Sequence, residues 1–377
     1  MSLEAWDDVW RRNQYLVAGL LDRNPDLRVL FVEPPVDLTH ELITRRRLRR
    51  GRGLRAHPDY GGRLMLLEPT KVLPRVAGPA ADAVWRRQVV GAASRLGMSD
   101  PMLWVNDPLG AELVRTTGWP ALYDITDDWL AADRPARIRR RLEEHEELLL
   151  DRCADVVVCS PALAASRGAR RTVQLIPNAV DVARYRQPAA RPADLPGRTA
   201  LYVGTLHEDR LDVDLVAETA RSLGADGAVV LLGPDALADT SRAALQDAGV
   251  VLLGARPFDR VPAYLQHADV LIVPHVVDDF TDSLDPIKLY EYLAVGRPVV
   301  STPVAGFRDA AGNGVSVVAP ESFAGVVRTR VLEPGATARH PDVPDWAERV
   351  DAMAVVLDRV RTHQGHDINP GGQTRQT

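Results

Sequence analysis

Short runs of aliphatic and β-branched residues alternate along this chain with longer stretches in which apolar side chains recur every three or four positions. The runs are RVLFVE (28–33), RLMLLEP (63–69), MLWVN (102–106), ALYDI (121–125), DVVVCS (155–160) and TVQLIP (172–177). Their length and content predict buried strands. Between them lie AADAVWRRQVVGAASRLG and RPARIRRRLEEHEELLLDRC. The second is charged on one side and carries Ile138, Leu142, Leu149 and Cys153 on others, which predicts a packed helix rather than a charge tract. At 186–198 the sequence RQPAARPADLPGR has no period, and it reads as an interdomain linker. The pattern then restarts with TALYVG (199–204), GAVVLLG (227–233), GVVLLG (249–254), ADVLIVP (268–274) and RPVVST (297–302). Strands that alternate with helices predict an α/β protein of two Rossmann-like domains with parallel sheets. The expected limits are 1–185 for the first domain and 199–343 for the second. An amphipathic helix at 344–361 is expected to cross back to the first domain, and 362–377 to be a disordered tail.

Composition narrows the class. A chain of 377 residues is long enough for two ordinary domains, and 46% hydrophobic residues suit a soluble globular protein. No apolar run approaches the roughly 18 residues that a membrane helix needs. The opening MSLEAWDDVWRRN has neither the basic start nor the apolar core of a signal peptide, so the cytoplasm is the expected location. Cys153 and Cys159 are too few for a disulfide framework or a zinc site. A net charge of −5 argues against nucleic acid as a partner. One segment departs from that balance: RRRLRRGRGLR at 45–55 holds seven arginines. It reads either as a solvated helix end and loop, or as a patch for anionic lipid head groups or an anionic acceptor. The second reading would place the protein peripherally at the inner face of a membrane. No GxSxG, P-loop or HExxH pattern is present, which leaves hydrolase, NTPase and zinc-protease chemistry unsupported.

The most informative stretch is PIKLYEYLAVGRPVVSTPVAGF at 286–307. Asp285 can cap a short helix, Pro286 suits its first position, and Gly296 can end it in a left-handed conformation. Lys288 and Glu291 are three apart and share a face, while Ile287, Tyr290 and Ala294 can line another. A helix start supplies free N–H groups and partial positive charge, which suits a diphosphate. A carboxylate further along can accept hydrogen bonds from two neighbouring sugar hydroxyls. The same residues would also serve a capped surface helix with an i,i+3 ion pair.

The stretch resembles the nucleotide-sugar motif of retaining GT-B glycosyltransferases of the family 4 type. Other motifs appear in the order of that family. EAWDDVWRRNQYLVAGLL, RVLFVEPP and LYDITDDW are similar to the opening of bacterial transferases of surface polysaccharides, the teichuronic-acid type among them. VVVCSPALAA, LIPNAVDVARY, ALYVGTLHEDRLDVDLV and VLLGARPFDRVPAYLQHADVLIVP are similar to later family segments. The resemblance covers nearly the whole chain and implies two domains facing across a cleft. Relatives carry a buried strand before the segment WDDVWRRNQ, and here only residues 1–5 stand there, so that strand is expected to be very short or missing.

The resemblance implies a donor site in the second domain. The Gly204–Thr205 turn ends a strand, where open α/β sheets bind ligands. The family places basic residues after that glycine; here Thr205 fills the first place and Arg210 the second, so Arg210 is expected on the diphosphate. Pro286, Ile287 and Lys288 form the phosphate-facing turn, with Lys288 able to replace the charge lost at Thr205. Glu291 matches the second acid of the paired-glutamate motif, on the ribose. The first acid falls on Ser283, with Asp282 and Asp285 beside it. Backbone groups near Arg256 are expected to read the base, which leaves uridine, guanosine and thymidine donors open. On the acceptor side, Asp124, Asp127 and Asp128 end a strand, and clustered carboxylates can orient an acceptor or exchange protons. Alternatively, one of them caps a turn and another is solvated. His275 is expected to be packed or hydrogen-bonded.

The Asp-rich run 278–285 lacks the glycine and distal glutamate of a calcium loop, and no metal or other cofactor is expected. The implied function is transfer of a sugar from a nucleotide diphosphate to a hydroxyl acceptor, a lipid-linked one among the candidates. The alternatives are an impaired GT-B partner or activator protein, favoured by Thr205 and Ser283, and a tailoring enzyme for pseudo-sugars or secondary metabolites.

Overall fold

The computed structural model describes residues 1–38, 49–72, 79–131, 135–312, 314–333, 335, 337–338 and 340–363. Most of the expected tail, 364–377, lies outside the described residues, as do Arg45, Arg46, Arg47 and Leu48 of the basic segment. The chain forms two compact units. One comprises Met1–Asp7, Arg12–Ile176 and Arg349–Thr377, and the other Asp8–Arg11 and Pro177–Glu348. The helix Trp346–His363 thus belongs to the first unit from Arg349 onward.

The proline-rich stretch at 186–198 lies wholly within the second unit. Side chains hold it there. Asp194 accepts from Arg256 and Tyr264, Arg191 donates to the carbonyl of His267, and Leu195 is buried beside Tyr185 and Tyr264. Its lack of period reflects an irregular backbone tied down by polar contacts.

In the first unit the strands are β1 (Val29–Val32), β2 (Val36–Asp37), β3 (Gly53–Ala56), β4 (Leu64–Glu68), β5 (Thr70–Lys71), β6 (Leu103–Val105), β7 (Ala121–Ile125), β8 (Asp155–Val158) and β9 (Gln174–Leu175). They form sheets β1-β4-β3, β2-β5 and β6-β7-β8-β9, parallel except for β3 on β4. The first sheet and the last are bridged by Met1 and Ser2. Ser2 N–H donates to Val32 O at 2.9 Å, and Asn106 N–H donates to Met1 O at 3.0 Å. Beside this bridge lies a cavity of about 560 Å³, lined among others by Val17, Leu30, Val89, Ala93, Trp104 and Leu357.

β3 is a correction to the reading of the basic segment as a helix end and loop. Its residues pair antiparallel with β4, and the arginines around it face two buried glutamates. Arg49 and Arg52 pair with Glu68 at 2.9 and 3.1 Å, and Arg55 pairs with Glu33 at 2.8 Å. Those three arginines therefore neutralise buried carboxylates of their own unit.

The second unit is one parallel sheet of β10 (Thr199–Val203), β11 (Ala228–Leu232), β12 (Val251–Gly254), β13 (Val270–Val273), β14 (Val299–Ser301) and β15 (Val315–Val317), in the order β12-β11-β10-β13-β14-β15. Alternate residues supply two cores. Tyr202, Leu231 and Ile272 meet Phe323 and Val327 on one face; Leu201, Leu232 and Val273 meet Leu289 and Tyr292 on the other. The chain builds outward from β10 to β12 and then returns to β13 on the opposite side of β10. That reversal creates a crevice at the C-terminal ends of β10 and β13, where such sheets bind ligands.

Burial opposes the charge on Glu68, but hydrogen bonds from the Arg52 backbone and from the Arg49 and Arg52 side chains outweigh it and hold this carboxyl below its ordinary range. A depressed folded-state pKa adds stability above the unfolded value near 4.5, and that stability is lost as pH falls through the folded value. Glu68→Gln should therefore destabilise the protein at pH 7 and progressively less below pH ~4.5. Urea melts at both ends of that range check this; an equal loss at each pH would mean that the charge is not what holds the arginines.

Candidate functional site

Three strands of the second unit end in glycine at the same edge: Gly204 after β10, Gly233 after β11 and Gly254 at the end of β12. Backbone hydrogen bonds tie them together, Gly204 N–H to Leu232 O at 3.0 Å and Gly233 N–H to Gly254 O at 3.1 Å. Gly233 has φ 153°, and a Cβ there would lie 2.0 Å from Gly204 O. Only glycine permits that approach. Around the resulting turn, Thr205 is half-buried.

Lys288 reaches this turn from the helix Ile287–Val295, whose position is fixed by Tyr292, the acceptor for Val203 N–H at 3.1 Å. A Cβ added at Gly204 would lie 3.1 Å from Lys288 Nζ. Lys288 Nζ donates to Tyr202 OH at 2.8 Å and lies 3.2 Å from His275 Nε2; Tyr202 OH is 3.1 Å from the same His275 nitrogen. Among the described residues no carboxylate is within ion-pair distance of Nζ. Burial, and then Arg210, pull the Lys288 ammonium down to about 7. Burial followed by Lys288 and Arg210 puts His275 well below the usual histidine range. His275 is 5% exposed, so it is hydrogen-bonded and packed at the turn itself.

Arg210 flanks the same crevice. Its guanidinium lies 5.2 Å from the Phe280 ring centroid and 3.9 Å from Asp209, and its buried Nε makes no hydrogen bond among the described residues. One helical turn beyond Lys288, Glu291 accepts from Tyr185 OH. Burial raises the Glu291 carboxyl, against the lowering effects of Tyr185 and Lys288. Lys288 and Glu291 share a helix face but form no ion pair within 4 Å.

The residues around the missing first acid are occupied. Ser283 is buried and donates to Phe280 O at 2.7 Å. Asp282 pairs with Arg308 at 3.0 Å. Asp285 does not cap the helix: the cap position is Pro286, while Asp285 accepts from Asn178 N–H and from Tyr290 OH. Gly296 ends the helix at φ 74°, in the left-handed conformation expected of it. The Arg256 side chain is bound to Asp194, Tyr264 and Leu253 O. Of the expected donor residues, the structure brings Gly204 and Lys288 together, with Arg210 close enough to act on the lysine, while Glu291 lies one helical turn further on against Tyr185.

The sequence reading passed over Tyr202, Tyr185 and Gly233. Gly233 had a signal, since the apolar run ending in glycine recurs in VLLG and TALYVG. The tyrosines had none beyond their strand and helix positions.

Asp124, Asp127 and Asp128 sit in the first unit, and Asp128 is the one that caps a turn. Asp124 is fully buried, and its carboxylate receives Arg12 Nη2 at 3.2 Å, Trp104 Nε1 at 3.1 Å and Asn106 Nδ2 at 3.0 Å. It anchors Arg12 instead of presenting a carboxylate at a surface. Asp128 caps its own turn and is held by two bonds from Arg167, at 2.7 and 2.8 Å, an arginine that also binds Glu146. Against the cost of burial, Arg167 keeps the Asp128 carboxyl below its ordinary range. Asp127 is half-buried and accepts from Thr126 Oγ1 at 3.1 Å. Among the described residues no group of three or more His, Cys, Asp or Glu could hold a metal ion, and no helix is long and apolar enough to cross a membrane.

The family described as "Glycosyl transferases group 1" matches residues 197–331, the part of the second unit that carries the sheet, the glycine turn, Lys288 and Glu291. These residues are a group 1 glycosyl transferase domain. The chain is also 27% identical over 218 residues to TuaH of Bacillus subtilis, assigned as a teichuronic acid biosynthesis glycosyltransferase. That match takes in 53% of this chain and about half, 55%, of the relative. Among solved structures, Anabaena HepE in complex with UDP and glucose superposes with TM-score 0.61 at 15% identity, covering 97% of this chain and 98% of that one. A trehalose-phosphate synthase (UDP-forming) of Burkholderia vietnamiensis gives 0.54 at 14% identity, covering 90% and 96%. The fold is that of the GT-B glycosyltransferases.

Asp124→Ala removes a buried carboxylate that receives Arg12, Trp104 and Asn106, and breaking a buried ion pair costs about 3–5 kcal/mol. Chemical denaturation of Asp124→Ala should show a loss of that size. A change within about 1 kcal/mol would mean that Arg12 finds another partner and Asp124 is dispensable to the fold.

Proposed function

We propose that this protein transfers a sugar from a nucleotide diphosphate to a hydroxyl acceptor with retention of configuration, the group 1 domain holding the donor. The observation that carries this reading is Lys288. A lysine amine placed beside a bare glycine turn at the crevice of a parallel sheet, with neutral hydrogen-bond partners among the described residues, suits phosphate oxygens. Arg210, with its unbonded Nε, supplies a second positive charge at the same crevice. The first turn of the helix Ile287–Val295 adds backbone N–H groups that have no intrahelical acceptor. Glu291, already an acceptor for Tyr185, has lone pairs for the ribose hydroxyls. The departing diphosphate would then be stabilised by the helix start, Lys288 and Arg210, and no metal is needed for that charge.

Retention in this class is expected to proceed by attack on the face that the diphosphate leaves, the diphosphate itself helping to take the acceptor proton. This scheme requires no protein nucleophile. HepE shares the fold and holds UDP and glucose, so UDP and UDP-glucose are the first nucleotides to try. A donor-binding partner without turnover is the second reading, favoured by Ser283 at the place of a sugar-contacting acid. Incubation of the protein with UDP-glucose and candidate hydroxyl acceptors separates the two. Formation of an α-linked product, read by NMR at the anomeric proton, supports the transferase; binding of UDP with no product under any acceptor favours the partner.

Lys288→Met should lower UDP affinity by about 1.5–3 kcal/mol, the worth of a hydrogen bond to a charged group, and leave uridine affinity unchanged. Glu291→Gln should weaken UDP and uridine alike. Titration calorimetry with both ligands checks this. Unchanged UDP affinity in Lys288→Met would remove the lysine from the diphosphate.

A further inference from the structure

Lys288, Tyr202 and His275 form a closed triangle of polar atoms with edges of 2.8, 3.1 and 3.2 Å. His275 Nε2 lies within hydrogen-bond distance of both Lys288 Nζ and Tyr202 OH, and burial, followed by Lys288 and Arg210, keeps the imidazole neutral. Tyr202 OH accepts from Nζ. Nζ also lies 4.0 Å from the centroid of the Tyr202 ring. The other charged groups near Lys288 do little to hold a full positive charge there. Arg210, from the turn after β10, repels it, although Asp209 at 3.9 Å partly offsets that arginine. Glu291, on the same helix, is engaged by Tyr185. The strand ends β10 and β13 thus contribute only a phenol and an imidazole to the cation. A lysine in such surroundings sits close to half protonation near neutral pH, in line with its lowering to about 7 by burial and then Arg210.

We propose that binding of a nucleoside diphosphate is coupled to uptake of one proton by Lys288, so that the empty site exchanges a neutral amine for an ammonium as the phosphate oxygens arrive beside Gly204. This inference rests on the donor-site reading above. The proton comes from solvent and ends on Nζ; Tyr202 and His275 keep theirs. The sign follows from the bound state having the higher pKa. Affinity is greatest below about pH 7 and falls about tenfold for each pH unit above it, until the pKa of the bound lysine is reached. Free donor is then held weakly in alkaline medium and tightly in acid, and release of the nucleotide returns the proton.

The test is titration calorimetry of the full-length protein with UDP at pH 8 in HEPES and in Tris, which differ in ionisation enthalpy. A terminal phosphate has a second pKa of about 6 and takes up no proton of its own at this pH. The proposal expects close to one proton taken up per UDP, and UDP affinity about tenfold weaker at pH 8.5 than at pH 7.5. Uridine should show neither effect. Lys288→Arg, which stays charged throughout, should bind UDP with no proton uptake. If that variant does not fold, Lys288→Met serves instead and should bind weakly and independently of pH. UDP binding with no proton uptake by the unaltered protein, or uptake that persists in Lys288→Arg, overturns the proposal while leaving the donor site in place. Absence of UDP binding at both pH 6 and pH 8 overturns the donor-site reading, and this proposal with it.

Discussion

A buried lysine at the end of a parallel sheet, in contact among the described residues with a phenol and an imidazole, is the feature on which the candidate site of the second unit depends. Lys288 reaches Gly204 because Tyr292 pins the helix Ile287–Val295 to Val203, and it stays there because Tyr202 and His275 offer it lone pairs but no charge. The turn that it faces exists because Gly233 and Gly204 can approach to a distance that a single methyl group would forbid. Strand order, glycine placement and the one lysine are therefore parts of a single arrangement. A side chain at Gly233 would collide with the backbone of Gly204 and displace the turn that Lys288 faces.

The first unit spends its charged side chains differently. Asp124 is matched to Arg12, Asp128 and Glu146 share Arg167, and Glu33 and Glu68 are covered by arginines of the basic segment. Each of these carboxylates would be costly to bury alone, and each is paired with a guanidinium, whose planar fork satisfies two oxygens at once. Paired in this way, they position backbone and each other. The carboxylates that look most reactive in the sequence are therefore the ones most fully engaged in the fold.

The longer strands of both units were legible because an apolar run such as VVLLG or DVVVCS is satisfied only by burial between layers, whereas the two-residue β2 and β5 and the short edge strand β15 carry no such run. β3 was not legible either, since its four residues lie among arginines whose partners, Glu33 and Glu68, are distant in sequence and meet them only after folding. The same reason explains Asp124. A strand's last residues can point outward to a ligand or inward beneath the loops, and the choice was made by Arg12, 112 residues away. At 186–198, proline and alanine read as an interdomain linker, whereas Arg191 and Asp194 fasten the segment within the second unit. In the second unit, the helix face shared by Lys288 and Glu291 followed from spacing alone. Their partners did not, because Tyr202, His275 and Tyr185 come from separate elements and carry no motif. Asp285 was a reasonable cap by position, and it was drawn away by the backbone of Asn178 and the hydroxyl of Tyr290.

The central claim is that Lys288 and the Gly204 turn receive a diphosphate while Glu291 receives a ribose. The most direct measurement is a crystal structure of the protein with UDP bound. The account predicts phosphate oxygens within hydrogen-bonding distance, about 2.7–3.2 Å, of Lys288 Nζ and of the first backbone N–H groups of the helix Ile287–Val295, with both ribose hydroxyls on Glu291. A nucleotide bound elsewhere in the group 1 domain, or one whose diphosphate points away from Gly204 with Lys288 still held by Tyr202 and His275 alone, would contradict it.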